Sequence, residues 1–345
     1  MTDIRNLFGI DLPVIQAPMA GVQGSALAIS VCNAGGLGSL PCAMLTPETI
    51  DAELAVIRAA TDRPVNVNFF AHDPLPVTEQ QLQRWQQRLQ PYYQELNVEP
   101  VAAAGGRAPF NADHAAVIEK YRPEVVSFHF GLPDVDLLSR VRATGAKVIA
   151  SATTFEEGRW LADKGVDAII AQGLEAGGHR GIFLTRDMNT QSGTFALLPQ
   201  LVAEVDVPVI AAGGICDQAG IRAAMQLGAA GVQLGTVYLL CDQAQTSTLH
   251  RQALQDQNTY TALTNVFSGG PARGIINRAM QELGPISQDA PPFPMATAAL
   301  APLRSAAEAI GNADFSPLWA GQNRSGCRLI DAGVLTRELA ADYIA

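Results

Sequence analysis

With 345 residues, 48% of them hydrophobic and 16% charged, the chain has the make-up of an ordinary globular enzyme, long enough for two domains or one large α/β barrel, which excludes fibrous and disordered classes. A net charge of −10, a pI near 5.0 and the lack of any basic block leave nucleic acid and anionic membranes without an electrostatic partner. Five scattered cysteines without a Cys-x-x-Cys pair, no histidine cluster at zinc spacing, and no apolar run of signal-peptide or membrane-span length point to a cytoplasmic protein with reduced thiols and no metal.

In chain order, "PVIQAPMAG" (13–21), "GLGSLPC" (36–42) and "PVNVNFF" (64–70) are the first three predicted strands. An insertion over about 71–124 follows, carrying the Gln-rich helix "TEQQLQRWQQRLQPYYQEL", whose Leu82, Trp85, Leu89 and Tyr92 fall at helical spacing as a core or lid stripe. "VVSFHFG" (125–131), "AKVIASAT" (146–153), "VDAIIAQG" (166–173), "VPVIAAGG" (207–214) and "GVQLGT" (231–236) complete eight strands. Helical segments such as 154–165 and 217–230 lie between them, and this alternation implies a parallel sheet. Eight β–α units predict a closed TIM-type (β/α)8 barrel over residues 1–240. Beyond 240 no strand is evident, and residues 241–345 read as a helical addition covering the barrel mouth. An open doubly wound sheet is the alternative, but "AGGLGS" (34–39) lacks the G-x-G-x-x-G spacing and the acidic residue that should follow.

Strand side chains alternate, so Val65, Val67 and Phe69 face the outer helices while Asn66 and Asn68 point into the barrel. The same parity sends Val126, Phe128 and Phe130 outward, Ser127 and His129 inward, and places Gln172 and Gln233 at the mouth. Buried polar groups need partners; a polar planar ligand or a hydrogen-bonded plug of these same residues would supply them. Gly213–Gly214 and Gly235–Thr236 end the seventh and eighth strands, where such barrels hold phosphate on backbone N–H groups; tight turns without ligand are the weaker alternative.

The segment "QGLEAGGHRG" (172–181) sets His179 among four glycines, neighbours unable to bury it by packing. A flat ring can lie against such a backbone with His179 over its reactive face. The near-neutral pKa of histidine suits it either to take a proton from carbon or to pair with an anion. His72, His114 and His250 are expected to be structural.

The ordered motifs "IQAPMAG" (15–21), "VNVNFF" (65–70), "SFHFG" (127–131), "QGLEAGGHRG" (172–181), "VIAAGGI" (209–215), "QLGT" (233–236), "SGGPARGIINR" (268–278) and "LWAGQ" (318–322) resemble, nearly end to end, the nitronate monooxygenases, formerly 2-nitropropane dioxygenases, and within them the bacterial class I branch. The resemblance implies a barrel with non-covalent FMN and no metal. By motif it implies cofactor contacts at Met19, Ala20, Gly21, Asn68, Gln172, Gly177, Gly178, Gly213 and Gly214, and along Gln233, Leu234, Gly235 and Thr236. It makes His179 catalytic and His129 a second substrate-side group. The implied reaction uses dioxygen to oxidise an anionic alkyl nitronate, propionate 3-nitronate being the usual class I substrate, to a carbonyl compound and nitrite.

One segment departs from the family pattern. Residues 291–302, "PPFPMATAALAP", offer Phe293, Thr297 and Ala301 where tyrosines and a lysine are expected, leaving Arg273 or Arg304 to meet a substrate carboxylate. Two other readings stand beside this one: an NAD(P)H-dependent FMN reductase acting on quinones or enoyl thioesters, and a flavin-binding sensor without turnover.

Overall fold

All eight predicted strands form in the computed structural model, which describes residues 3–101 and 108–344. In chain order the strands are β1 (Val14–Gln16), β2 (Gly38–Pro41), β3 (Val65–Phe70), β4 (Val125–His129), β5 (Lys147–Ala152), β6 (Ala168–Gln172), β7 (Gly178–His179), β8 (Val209–Ala212), β9 (Gly231–Leu234), β10 (Thr261–Thr264) and β11 (Ala272–Ile275). Eight of them pair in the parallel order β1-β9-β8-β6-β5-β4-β3-β2. At the seam Ile15 bridges Leu37, and the bonds Gln16 N–H to Leu37 O and Leu37 N–H to Val14 O, both 2.9 Å, join β1 to β2. The result is a TIM-type barrel, and the open-sheet alternative falls.

The alternation of the strands sorts their side chains into two cores. Val65, Val67, Phe69, Val126 and Phe128 pack outward against the helical ring. Ile15, Leu37, Val125, Ile149, Ile170 and Ile210 fill the barrel interior above Ile4 and Phe8 of the N-terminal helix. Ile4 sits so close to Gly231, the first residue of β9, that any side chain there would collide with it. Helices between strands begin where the sequence offers caps: Asp217 accepts from Gly220 N–H at 2.7 Å, and Thr154 from Glu157 N–H at 3.2 Å.

Two expectations need correction. Phe130 does not face the helices, because β4 ends at His129 and Phe130 takes a left-handed φ of 68°, which swings its ring over the mouth to 5.0 Å from Phe70. The segment after 240 does contain strands: β10 and β11 pair antiparallel, and β11 pairs in turn with β7. Neither four-residue strand shows alternation, and the β7 partner of β11 lies more than ninety residues upstream, so no local pattern betrays them.

The insertion helix Glu79–Glu95 opens on a capping box, Thr78 with Gln81. Trp85, Leu89, Tyr92 and Tyr93 form a second core with Leu300 and Leu303 of helix Ala296–Ala309, while Leu82 stays half-buried. The Tyr93 hydroxyl donates to Ala299 O at 2.6 Å. Insertion and tail are thereby one packed unit beside the mouth. Among the described residues no helix is long and apolar enough to cross a membrane, and no group of His, Cys, Asp and Glu is placed to hold a metal ion. All five cysteines are unpaired thiols, four of them buried.

Trp85 is wholly buried in that second core. Trp85→Ala is expected to lower unfolding free energy by about 3–5 kcal/mol, read as a shift of the urea midpoint; a shift under about 1 kcal/mol would show that the insertion does not stabilise the tail.

Candidate active site

A cavity opens at the C-terminal ends of the barrel strands. It is lined by Asn68 and Phe70 from β3, Ser127 and His129 from β4, Ser151 from β5, Gln172 from β6 and Gln233 from β9. Met19 and Ala20, Gly177, Gly178 and His179, and Gly213, Gly214, Gly235 and Thr236 also line it. Of the candidate residues only Gly21 and Leu234 stand outside the lining, Leu234 because its side chain points into the outer core.

Most of the convergent polar side chains bond to the protein itself. Asn68 Nδ2 donates to Ser127 Oγ at 2.9 Å. Gln172 spends its amide on the loop that follows β6, with Nε2 donating to His179 O at 2.9 Å and Oε1 accepting from Gly181 N–H at 2.8 Å. His129 Nε2 also reaches His179 O, at 3.1 Å, and His129 Nδ1 lies 3.1 Å from Ser151 Oγ. A carbonyl only accepts, so Nε2 carries the hydrogen and Nδ1 accepts from Ser151. Gln233 Oε1 differs: it is a buried acceptor on the cavity wall without a hydrogen-bond partner.

The glycines of 172–181 serve the protein's own packing as much as any ligand. A side chain at Gly173 would strike Thr194, one at Gly177 would come within 2.5 Å of Gly321 N, and one at Gly181 within 2.7 Å of His129 Cε1. Gly178 alone has open space beside it, and its φ of +73° turns the chain into β7. Arg180 is buried and points away from the cavity, donating to Gly173 O at 2.6 Å, Gln172 O at 2.7 Å and Gln191 Oε1 at 2.9 Å.

His179 is half-buried, yet not for want of neighbours. Phe293 and Trp319 lie 5.1 and 5.5 Å from its ring, Phe70 and Phe130 each 6.2 Å. These rings come from four distant segments, which explains why the local glycines gave the opposite impression. Nε2 of His179 meets Ser268 Oγ at 2.8 Å, orienting the imidazole from the tail side.

The tail supplies more of the lining than the motifs indicated. Trp319, Ala320, Gly321 and Asn323 close the phosphate-like end: Gly321 N–H donates to Thr236 Oγ1 at 2.9 Å and Asn323 Nδ2 to Gly214 O at 3.1 Å. "LWAGQ" marks that stretch in sequence, and parity applied to β5 would have found Ser151 beside inward Ile149. His250 belongs to the lining too, beyond the structural role expected of it, whereas His114 caps a helix and packs on Phe110 and Phe69. His72 joins the aromatic group through Phe293, 5.0 Å away.

Neither guessed cation reaches the cavity. Arg273 is buried in β11, donating to Leu174 O at 2.9 Å, and Arg304 pairs with Glu308 at 2.8 Å on an exposed helix face. Ala301 is exposed on that helix, and Thr297 Oγ is buried outside the lining. Among the described residues the lining therefore contains three histidines and no Lys, Arg, Asp or Glu.

The family model for nitronate monooxygenase matches residues 2–342 of the chain. Among curated proteins, a nitronate monooxygenase of Pseudomonas aeruginosa is 40% identical over 348 residues, covering 99% of each chain. One of Paraburkholderia phytofirmans is 41% identical, covering 96% of this chain and 92% of its own. Among solved structures, nitroalkane oxidase from Streptomyces ansochromogenes superposes with a TM-score of 0.90 at 37% identity, over 99% of this chain and 98% of that one. FabK from Thermotoga maritima, at 22% identity and a TM-score of 0.72, shares the fold.

The charge state of the lining can be checked without any ligand. Burial pushes the pKa of His129 and of His250 down to about 4. The unfolded chain protonates histidine near about 6.5, so between 6.5 and 4 it binds more protons than the folded chain, and stability falls as pH falls. The urea midpoint is expected to drop between pH 6.5 and 4.5, before most carboxylates titrate. A flat midpoint across that window would mean that the two rings are already charged in the fold.

Proposed function

The chain belongs to the nitronate monooxygenase family, and we propose that it oxidises alkyl nitronates with dioxygen on bound FMN, releasing nitrite and a carbonyl compound. The observation that carries this reading is one cavity lined by both the glycine ends of β8 and β9 and the oriented imidazole of His179.

The residues present fit FMN. Gln233 Oε1 is a buried acceptor in need of a donor, which a flavin ring N–H or a ribityl hydroxyl would supply. Gly213 and Gly214, with φ of +113° and +74°, and Gly235 bare their backbone at the end where a phosphate would lie, and Thr236, whose Oγ already accepts from Gly321, keeps its hydrogen for a phosphate oxygen. Met19 and Ala20 would flank the ring. Bound FMN would supply the redox chemistry that no side chain here provides.

The protein's share is to seat and orient an anion. With His129 neutral and no Lys or Arg in the lining among the described residues, His179 is the group placed to meet the nitronate oxygens. Ser268 holds one ring nitrogen, and Phe293, Trp319 and Phe70 wall the space for the alkyl part. A carboxylate-bearing substrate such as propionate 3-nitronate brings a second charge for which the lining has no cation.

Purified protein is expected to be yellow, and in an oxygen electrode to consume oxygen and release nitrite with ethylnitronate. Its kcat/KM there should exceed that with propionate 3-nitronate by about tenfold, the order of cost of leaving one polar group unpaired. Rapid anaerobic bleaching by NADH without nitrite release would favour the reductase instead. His179→Asn should retain FMN and lose about a hundredfold or more in kcat/KM; undiminished turnover would remove His179 from the chemistry. Gly214→Val, which forces a side chain onto φ +74°, should purify with much less than one FMN per chain; full flavin content would contradict the placement of the phosphate.

A further inference from the structure

We propose that His129 is a positioning residue, which sets His179 by gripping its main-chain carbonyl and exchanges no proton with the substrate. This rests on the role given to His179 above.

Both nitrogens of His129 are engaged by the protein. One end of the ring holds Ser151 Oγ, the other His179 O. A carbonyl accepts a hydrogen bond but passes no proton onward, so the Ser151–His129 pair stops at the backbone and never reaches the His179 imidazole. What His129 presents to the cavity is ring carbon. A proton acceptor for a nitroalkane would need an open nitrogen within hydrogen-bond reach of the reacting carbon, and this ring has none.

The same bonds make His129 a mechanical part. His179 O receives two donors, from His129 at the end of β4 at 3.1 Å and from Gln172 at the end of β6 at 2.9 Å. Next along the chain, Arg180 is pinned by its three guanidinium bonds and Gly181 by Gln172 Oε1, with the edge of the His129 ring pressed against the glycine. Before His179, Gly178 pairs with Arg273 of β11, while nothing lies within 4 Å of where its side chain would be. With the chain held on both sides, the direction of the His179 carbonyl sets the peptide plane and hence where the Cα–Cβ bond aims the imidazole. Misaiming a reactive group by about 1 Å costs on the order of a hundredfold in rate.

The test compares two replacements. His129→Phe keeps the ring shape and removes both nitrogens; His129→Gln places an amide N–H near the position of Nε2. With ethylnitronate, the Phe variant is expected to lose about ten- to a hundredfold in kcat/KM, mostly in kcat, and the Gln variant to stay within about threefold of wild type, both with full FMN content. A Gln variant as impaired as the Phe variant would make His129 an acid or base and overturn the proposal, as would a fully active Phe variant. If the Phe protein does not fold, the Gln variant decides by itself. Amide hydrogen exchange of the segment 176–183 gives a readout independent of turnover: faster in the Phe variant and wild-type-like in the Gln variant, or else the grip does not exist. Should the wild type release no nitrite from any nitronate, the functional reading fails while the exchange result still judges the grip.

Discussion

One side-chain amide ties the end of a barrel strand to the loop that carries the imidazole. Gln172 offers one donor and one acceptor, and the chain seven and nine residues on offers the complementary pair, His179 O and Gly181 N–H. The geometry imitates one rung of a β-ladder, made by a side chain where no strand continues. A buried amide matched at both ends adds little net energy but is costly to break, because each orphaned group would lose its partner away from water. Position of the loop, direction of β7, and pairing of β7 with β11 from the tail all follow from that rung.

The tail matters because it completes what the barrel leaves open. β10 and β11 place Ser268 against His179, and the segment after them brings Trp319 onto the same ring and Gly321 onto Thr236. Helix Ala296–Ala309 and the insertion helix share a core, so Phe293, just upstream, is held over the mouth by packing that begins at Trp85 and Leu300. Among the described residues, aromatic walls, three imidazoles and no Lys, Arg, Asp or Glu give a lining whose electrostatics rest on histidine and on backbone dipoles. For a singly charged, partly apolar substrate, that is the simplest environment able to discriminate by charge count.

Much of this was legible in the chain. Eight apolar runs closed by small residues announce the barrel, and simple alternation put Asn68, His129, Gln172 and Gln233 on the cavity side, where all four lie. Alternation failed only where its premise did, at Phe130, one residue beyond the end of β4 with a left-handed backbone. Glycine content was a weaker guide: Gly173, Gly177 and Gly181 accommodate Thr194, the tail and His129, contacts invisible without the fold. Burial of His179 by Phe293 and Trp319, and the short strands β10 and β11, depend on partners far away in sequence, for which neither periodicity nor turn chemistry carries a signal. His250 looked like any lone histidine; only its place on the wall separates it from His114.

The most direct measurement is a crystal structure of the FMN-loaded protein soaked anaerobically with a small nitroalkane. The account predicts isoalloxazine lying across the mouth between Met19 and Gly178, phosphate at Gly214 and Thr236, and the nitro oxygens within about 2.6–3.2 Å of a His179 ring nitrogen while His129 still holds the His179 carbonyl. A nitro group bonded to His129, or a flavin seated away from the glycine ends of β8 and β9, would contradict it.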